Sequence, residues 1–150
     1  MNDNISDTNK YIIPWDKSLN TGIHWIDEQH RQLLKHLEDM LNAIINKKCQ
    51  DKVKTLVTFL SDYVRTHFKT ERSFMLRNNY PNFLIHELQH REFFEKLKEM
   101  EKQYALHGPS RELAMKIEKE LWEWYKTHIC KYDKNFSEFM QQKNPSDHLS

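Results

Sequence analysis

Apolar residues recur along this chain at alternating steps of four and three, in four long runs. That spacing keeps them on one face of an α-helix. The first run, from about Ile23 to about Lys47, aligns Ile26, His30, Leu33, Leu37, Met40 and Ile44. The second, from about Asp51 to about Arg77, aligns Val53, Val57, Leu60, Val64, His67, Glu71 and Phe74. The third, from about Pro81 to about Leu106, aligns Phe83, His86, His90, Phe93, Leu97, Met100 and Tyr104. The fourth, from about Ser110 to about Gln141, aligns Leu113, Ile117, Leu121, Trp124 and His128, and resumes at Asp133, Phe136 and Met140. Between the runs lie Asn46 to Gln50, Asn78-Asn79-Tyr80-Pro81 and Gly108-Pro109. Pro81 suits a first helical turn, and Ser110 can cap the fourth helix. Asn20-Thr21-Gly22 offers a turn and an N-cap for the first. Four helices of about 25 residues with short turns predict an all-α, antiparallel up-down four-helix bundle.

One step breaks the rhythm. From His128 to Asp133 is five residues, which in a regular α-helix leaves Asp133 about 140° away from the His128 direction. A wide or frayed turn between them would bring Asp133 back to the inward face.

Outside the four runs, Tyr11-Ile12-Ile13-Pro14-Trp15 is apolar and broken by proline. It reads as an extended N-terminal arm packed on the body. Residues 1–10 read as a disordered polar tail, 11–141 as the bundle with its arm, and 142–150 as a loose polar tail. A length of 150 residues fits one domain. Only two glycines in that length argue against a turn-rich sandwich or barrel. A net charge of +1 with both signs interspersed argues against a nucleic-acid partner. No apolar run approaches the ~20 residues that span a bilayer, and the polar N-terminus lacks the apolar core of a signal peptide. Cys49 and Cys130 make no disulfide framework and read as reduced thiols. A cytoplasmic protein is expected.

The polar members of the apolar stripes carry the chemistry. They are His30 on the first helix, His67 and Glu71 on the second, His86 and His90 on the third, and His128 and Asp133 on the fourth. Residues four apart on a helix stack on one face. Because the helices alternate in direction, all seven side chains fall at the same end of the bundle. A buried imidazole or carboxylate without a partner is costly, so this cluster calls for metal. Seven donors exceed what one tetrahedral zinc accepts. A two-metal site with bridging carboxylates absorbs them, and imidazole plus carboxylate suits iron, manganese or zinc. Five imidazoles divide unequally, three to one ion and two to the other. The poorer ion has a free position for an exogenous ligand. His24 and His36 are turned about 120° away from His30. His107 falls at a loop and His148 in the tail, so none of these four is a ligand candidate.

Other chemistries lack parts. A ferritin-like carboxylate centre needs two Glu-x-x-His motifs. Only Glu87-x-x-His90 is present, with Glu87 out of the stripe. A zinc-binding interaction module leaves most of the donors unused. There is no Gly-rich phosphate loop and no Ser or Cys nucleophile in a recognisable context.

Four segments together resemble the hemerythrins, in particular single-domain bacterial members. They are Trp15…Gly22-Ile23-His24-Trp25-Ile26-Asp27-Glu28-Gln29-His30, His67-Phe68-x-x-Glu71-x-x-x-Met75, Tyr80-Pro81…His86-x-x-x-His90, and Trp124-x-x-x-His128-Ile129-x-x-x-Asp133. The resemblance spans about residues 11 to 140 and includes the five-residue step. It implies two non-haem irons in a bridged centre. His86, His90 and His128 would hold one iron, His30 and His67 the iron with the open position, and Glu71 and Asp133 would bridge. It also implies a protein that reversibly binds dioxygen for storage, transport or sensing, without catalysis. A redox enzyme on the same scaffold, of peroxidase, nitric-oxide reductase or ferroxidase type, is the alternative. No protein partner is identified. Two positions depart from the family pattern. Arg72 follows Glu71 where a second acid is common. Tyr125 follows Trp124 where an aliphatic residue, often leucine, shields the open iron. Trp124 and Tyr125 are therefore candidates for the ligand pocket, although Tyr125 could instead pack at the bundle surface.

Overall fold

A computed structural model describes residues 10–143. Its helices are α1 (His24–Ile45), α2 (Gln50–Arg77), α3 (Phe83–His107) and α4 (residues 111–143). Short turns join them, α1 packs on α2 and α4, and α3 packs on α2 and α4, which is the expected up-down four-helix bundle. The tails expected at 1–10 and 142–150 lie almost wholly outside the described residues, as does His148. Residues 142 and 143, expected in the tail, extend α4.

The stripes fold inward as their spacing predicts. Leu33, Leu37 and Met40 from α1 meet Leu60 and Val64 from α2, Phe93, Leu97 and Met100 from α3, and Leu113, Ile117 and Leu121 from α4. A smaller cluster of Ile26, Met75, Tyr80 and Phe136 closes the other end. Val57, Phe74, Phe83, Tyr104 and Met140 sit at the margin and are only half-buried. Among the described residues no helix is long and apolar enough to cross a membrane.

The helix ends follow the sequence signals with two corrections. Ser110 accepts the Leu113 N–H at 3.0 Å and caps α4. Gly108, at φ +74°, ends α3 in a conformation that favours glycine. Pro81 lies in the turn before Asn82 rather than inside α3. The Asn20-Thr21-Gly22 turn does not cap α1 with its own side chains. Instead Asp27, one turn into the helix, reaches back. Its carboxylate accepts the Thr21 N–H and hydroxyl at 2.8 and 2.7 Å and the Gly22 N–H at 3.2 Å. Gly22, at φ +92°, permits that turn.

Helix α4 changes pitch twice. Alpha-helical stretches Arg111–Ile117, Trp124–His128 and Lys134–Lys143 are separated by π segments Glu118–Glu123 and Ile129–Asp133. The second is the wide turn that the His128-to-Asp133 step requires, and it buries both residues. The first was not legible in the sequence. A π segment adds a residue to the turn, so the inward position passes from Trp124 to Tyr125. Tyr125 is 0% exposed, which overturns the reading of it as a surface residue, while Trp124 is half-buried.

The N-terminal arm packs as expected. Tyr11 and Ile13 are buried. Asn42 and the Tyr11 backbone exchange hydrogen bonds, and the Ile13 N–H donates to Glu38 at 2.8 Å. A 3₁₀ turn at Lys17–Leu19 then leads into α1, with Leu19 buried against the core.

Candidate metal centre

Each helix delivers its donors from a buried stripe, and all seven residues meet in one cluster, each 3% exposed or less. Asp133 stands at its centre. One carboxylate oxygen lies 3.0 Å from His30 Nε2, and the other 3.0 Å from both His86 Nε2 and His128 Nε2. Glu71 Oε1 lies 3.3, 3.6 and 3.7 Å from the Nε2 atoms of His90, His67 and His86. By ligand-atom proximity the donors form two groups. One is Glu71, His86, His90, His128 and Asp133; the other is His30, His67, Glu71 and Asp133. The two groups share only the carboxylates.

Short as these distances are, the atoms do not satisfy one another as hydrogen bonds. The Nε2 atoms of all five histidines and all four carboxylate oxygens lack a hydrogen-bond partner. Buried polar atoms are nearly always paired, so nine orphaned donor atoms facing one another fit a metal centre. The electrostatics agree. Burial raises both carboxyls, and Asp133 raises Glu71 further, but the surrounding imidazoles outweigh this and hold both well below the ordinary carboxylate range. Burial lowers His67 to about 4 and also lowers His128. Burial opposes charge on His86 and His90 too, yet the nearby carboxylates win, pushing His86 up to about 10 and His90 upward.

A surrounding layer flanks the rings, and sequence spacing did not point to it. Gln29 Oε1 lies 2.6 Å from His67 Nδ1, which leaves Nε2 as the lone-pair nitrogen facing Glu71. Glu87 Oε2 lies 3.4 Å from His90 Nδ1, and Arg72 Nε lies 3.2 Å from Glu87. The two departures noted in the sequence thus do different work. Arg72 backs the carboxylate behind His90. Tyr125 packs inside, edge-on to His30 with ring centroids 5.7 Å apart, and its hydroxyl has no partner. Phe68 stacks flat on His90 at 3.6 Å. Trp124 stacks on His128 at 5.1 Å and donates its indole N–H to Glu92. Of the histidines set aside, His24 and His107 are exposed and His36 packs on Tyr63. Cys49 and Cys130 are free and exposed.

A buried cluster of imidazoles and carboxylates drawn from all four helices defines a metal-binding helical bundle. Residues 21–139 match the hemerythrin HHE cation binding domain model, and the chain belongs to that family. It is 25% identical over 117 residues to bacteriohemerythrin from Methylococcus capsulatus, covering 76% of this chain and 85% of that protein. It is 26% identical over 128 residues to bacteriohemerythrin from Stenotrophomonas maltophilia, covering 85% and 80%. Myohemerythrin from Theromyzon tessulatum is 27% identical over 115 residues, covering 77% and 82%. A crystal structure of a leucine-to-phenylalanine mutant shares the fold with a TM-score of 0.64 at 21% identity, over 84% of this chain and 95% of that one.

Proposed function

We propose that this protein holds two non-haem irons and binds dioxygen reversibly at one of them. The observation that carries the reading is the division of donors into groups of three and two imidazoles about the shared pair Glu71 and Asp133. His86, His90 and His128 would hold one iron, and His30 and His67 the other, with both carboxylates bridging. When bound, the iron pair would supply the electrons and the free coordination position that dioxygen needs. Family membership and the bacteriohemerythrin and myohemerythrin relatives support the same assignment.

The chain's own residues supply the environment. Tyr125, Phe68 and Phe93 wall the cluster and exclude water. Gln29 fixes the orientation of His67, as a partner behind a metal ligand does, and the Glu87 carboxylate stands 3.4 Å from His90 Nδ1. The Tyr125 phenol is raised well above its ordinary pKa by burial and by the two carboxylates, so it stays neutral and keeps its proton to donate. A redox enzyme on the same centre is the second reading, and that buried phenol is the feature that favours it. Two exposed thiols suit a reducing, cytoplasmic setting.

The test is iron content and visible spectrum of the purified protein, reduced without oxygen and then exposed to it. Two irons per chain and a reversible spectral change are expected. One zinc per chain with no iron in native material would sink the proposal.

A further inference from the structure

We propose that the face of α2 and α3 above His90 is the docking site for an acidic electron-donor protein, through which the iron pair is kept reduced. The inference rests on the di-iron reading above. An oxygen-binding iron pair is competent only when ferrous, and its ligands are almost entirely shielded from solvent. Electrons must therefore enter where a ligand comes closest to the surface.

His90 is the most exposed of the seven ligands, at 3% against 1% or less. It lines a shallow groove of about 230 Å³ whose other walls include Phe68, Arg65, Lys69, Arg72 and Arg91. Arg65, Lys69 and Arg72 are spaced by four and three residues on α2, which puts them on one face. All four cations are exposed. The one carboxylate in the groove wall, Glu87, is engaged by both Arg72 and His90. Asp62 outside the groove pairs with Arg65. A chain of net charge +1 thus concentrates positive charge directly over one ligand of its buried centre. Phe68, stacked flat on the His90 ring, extends the conjugated surface toward the same groove.

The neighbouring surface points to a protein rather than a small anion. Leu84 and Leu88 on α3 are 75% and 59% exposed. They precede Arg91 by seven and three residues, so the three share one helix face. Exposed apolar side chains beside a charged groove give the apolar core and charged rim of a protein interface. In each encounter one electron passes from the donor's reduced iron–sulfur centre to one ferric ion. The donor is oxidised, the ion becomes ferrous, and two encounters restore the pair.

The experiment uses the iron-loaded, oxidised protein and its Lys69→Glu/Arg91→Glu variant, neither residue being a ligand. Two reductants are compared: a reduced acidic plant-type ferredoxin and photoreduced riboflavin, which carries no phosphate charge. The variant should slow reduction by ferredoxin about tenfold or more at low ionic strength and flatten its salt dependence. Its rate with riboflavin should stay within about twofold, as a small donor carrying at most one charge is steered far less than an acidic protein. Calorimetry with oxidised ferredoxin reads docking without electron transfer, and the variant should lose that binding. Equal slowing with both reductants, or no change with either, overturns the docking site. A native protein without iron would instead overturn the di-iron reading.

Discussion

The ring of Tyr125 meets the ring of His30 edge-on at 5.7 Å, inside a core where its hydroxyl has no partner. A buried hydroxyl left unpaired costs about 1–3 kcal/mol. Tyr125→Phe should therefore leave the metal-free protein as stable as the parent, or more stable by about 1 kcal/mol. Tyr125→Leu should lose about 2–3 kcal/mol by opening a cavity. On the di-iron reading, the same hydroxyl would be a proton donor beside the iron with the open position. Spontaneous oxidation of the oxygenated form should be faster in the parent than in the Leu variant, with Phe behaving like Leu. Denaturation of the metal-free proteins and decay of the oxygenated spectrum check the two halves separately. Equal decay rates in all three proteins would assign Tyr125 to packing alone.

Gln29 should matter to one iron more than to the other. It accepts from Nδ1 of His67, a member of the two-imidazole group only. Partners of this kind change metal affinity by about 10–100-fold. Gln29→Leu should make one iron per chain labile to a competing chelator and leave the other bound as in the parent. Loss of both irons at one rate would mean that the substitution disturbs the bundle rather than the ligand.

Most of the centre is legible in the sequence because its residues violate a pattern. His30, His67, Glu71, His86, His90 and His128 each occupy a place where the helical rhythm demands an apolar side chain. The step to Asp133 is legible for the same reason, since two polar residues in one core must both face inward. The π segment at Glu118–Glu123 leaves no such mark. Leu121, Trp122, Trp124 and Tyr125 are all large and apolar enough for a core, so either register satisfies the pattern. Only packing decides that Tyr125 takes the inward place. Gln29 and Glu87 lie off their stripes, and nothing in the spacing tells which neighbouring ring they meet.

Asp27 shows the same limit and yields its own test. A carboxylate one turn inside a helix reads as a surface residue, yet it is buried and holds the turn at Thr21 and Gly22. Asp27→Ala should destabilise the protein by about 1–3 kcal/mol, the usual cost of leaving a buried polar group without its partner. Because Asp27 touches no ligand, iron content should not change. Iron loss at unchanged melting temperature would contradict a role confined to that turn.

The pH dependence of the metal-free protein should run in opposite directions on its two flanks. His67 is held at about 4, against about 6.5 unfolded. Between those values the unfolded chain binds more protons, so stability falls as pH drops through that window. His86 is raised to about 10. Its contribution is fully present below pH 6.5 and is lost as pH rises toward 10. Each flank is worth on the order of 3–5 kcal/mol, and the maximum should lie near pH 6.5. Iron changes only one flank. A ligating imidazole must be neutral, so loading displaces the protons from His86 and His90 and removes the alkaline fall. Acid still competes with the metal, so the fall at low pH remains. Melting temperatures of chelator-treated and iron-loaded protein from pH 5 to 9.5 test this. An alkaline fall of equal size in both forms would show that His86 does not exchange its proton for metal.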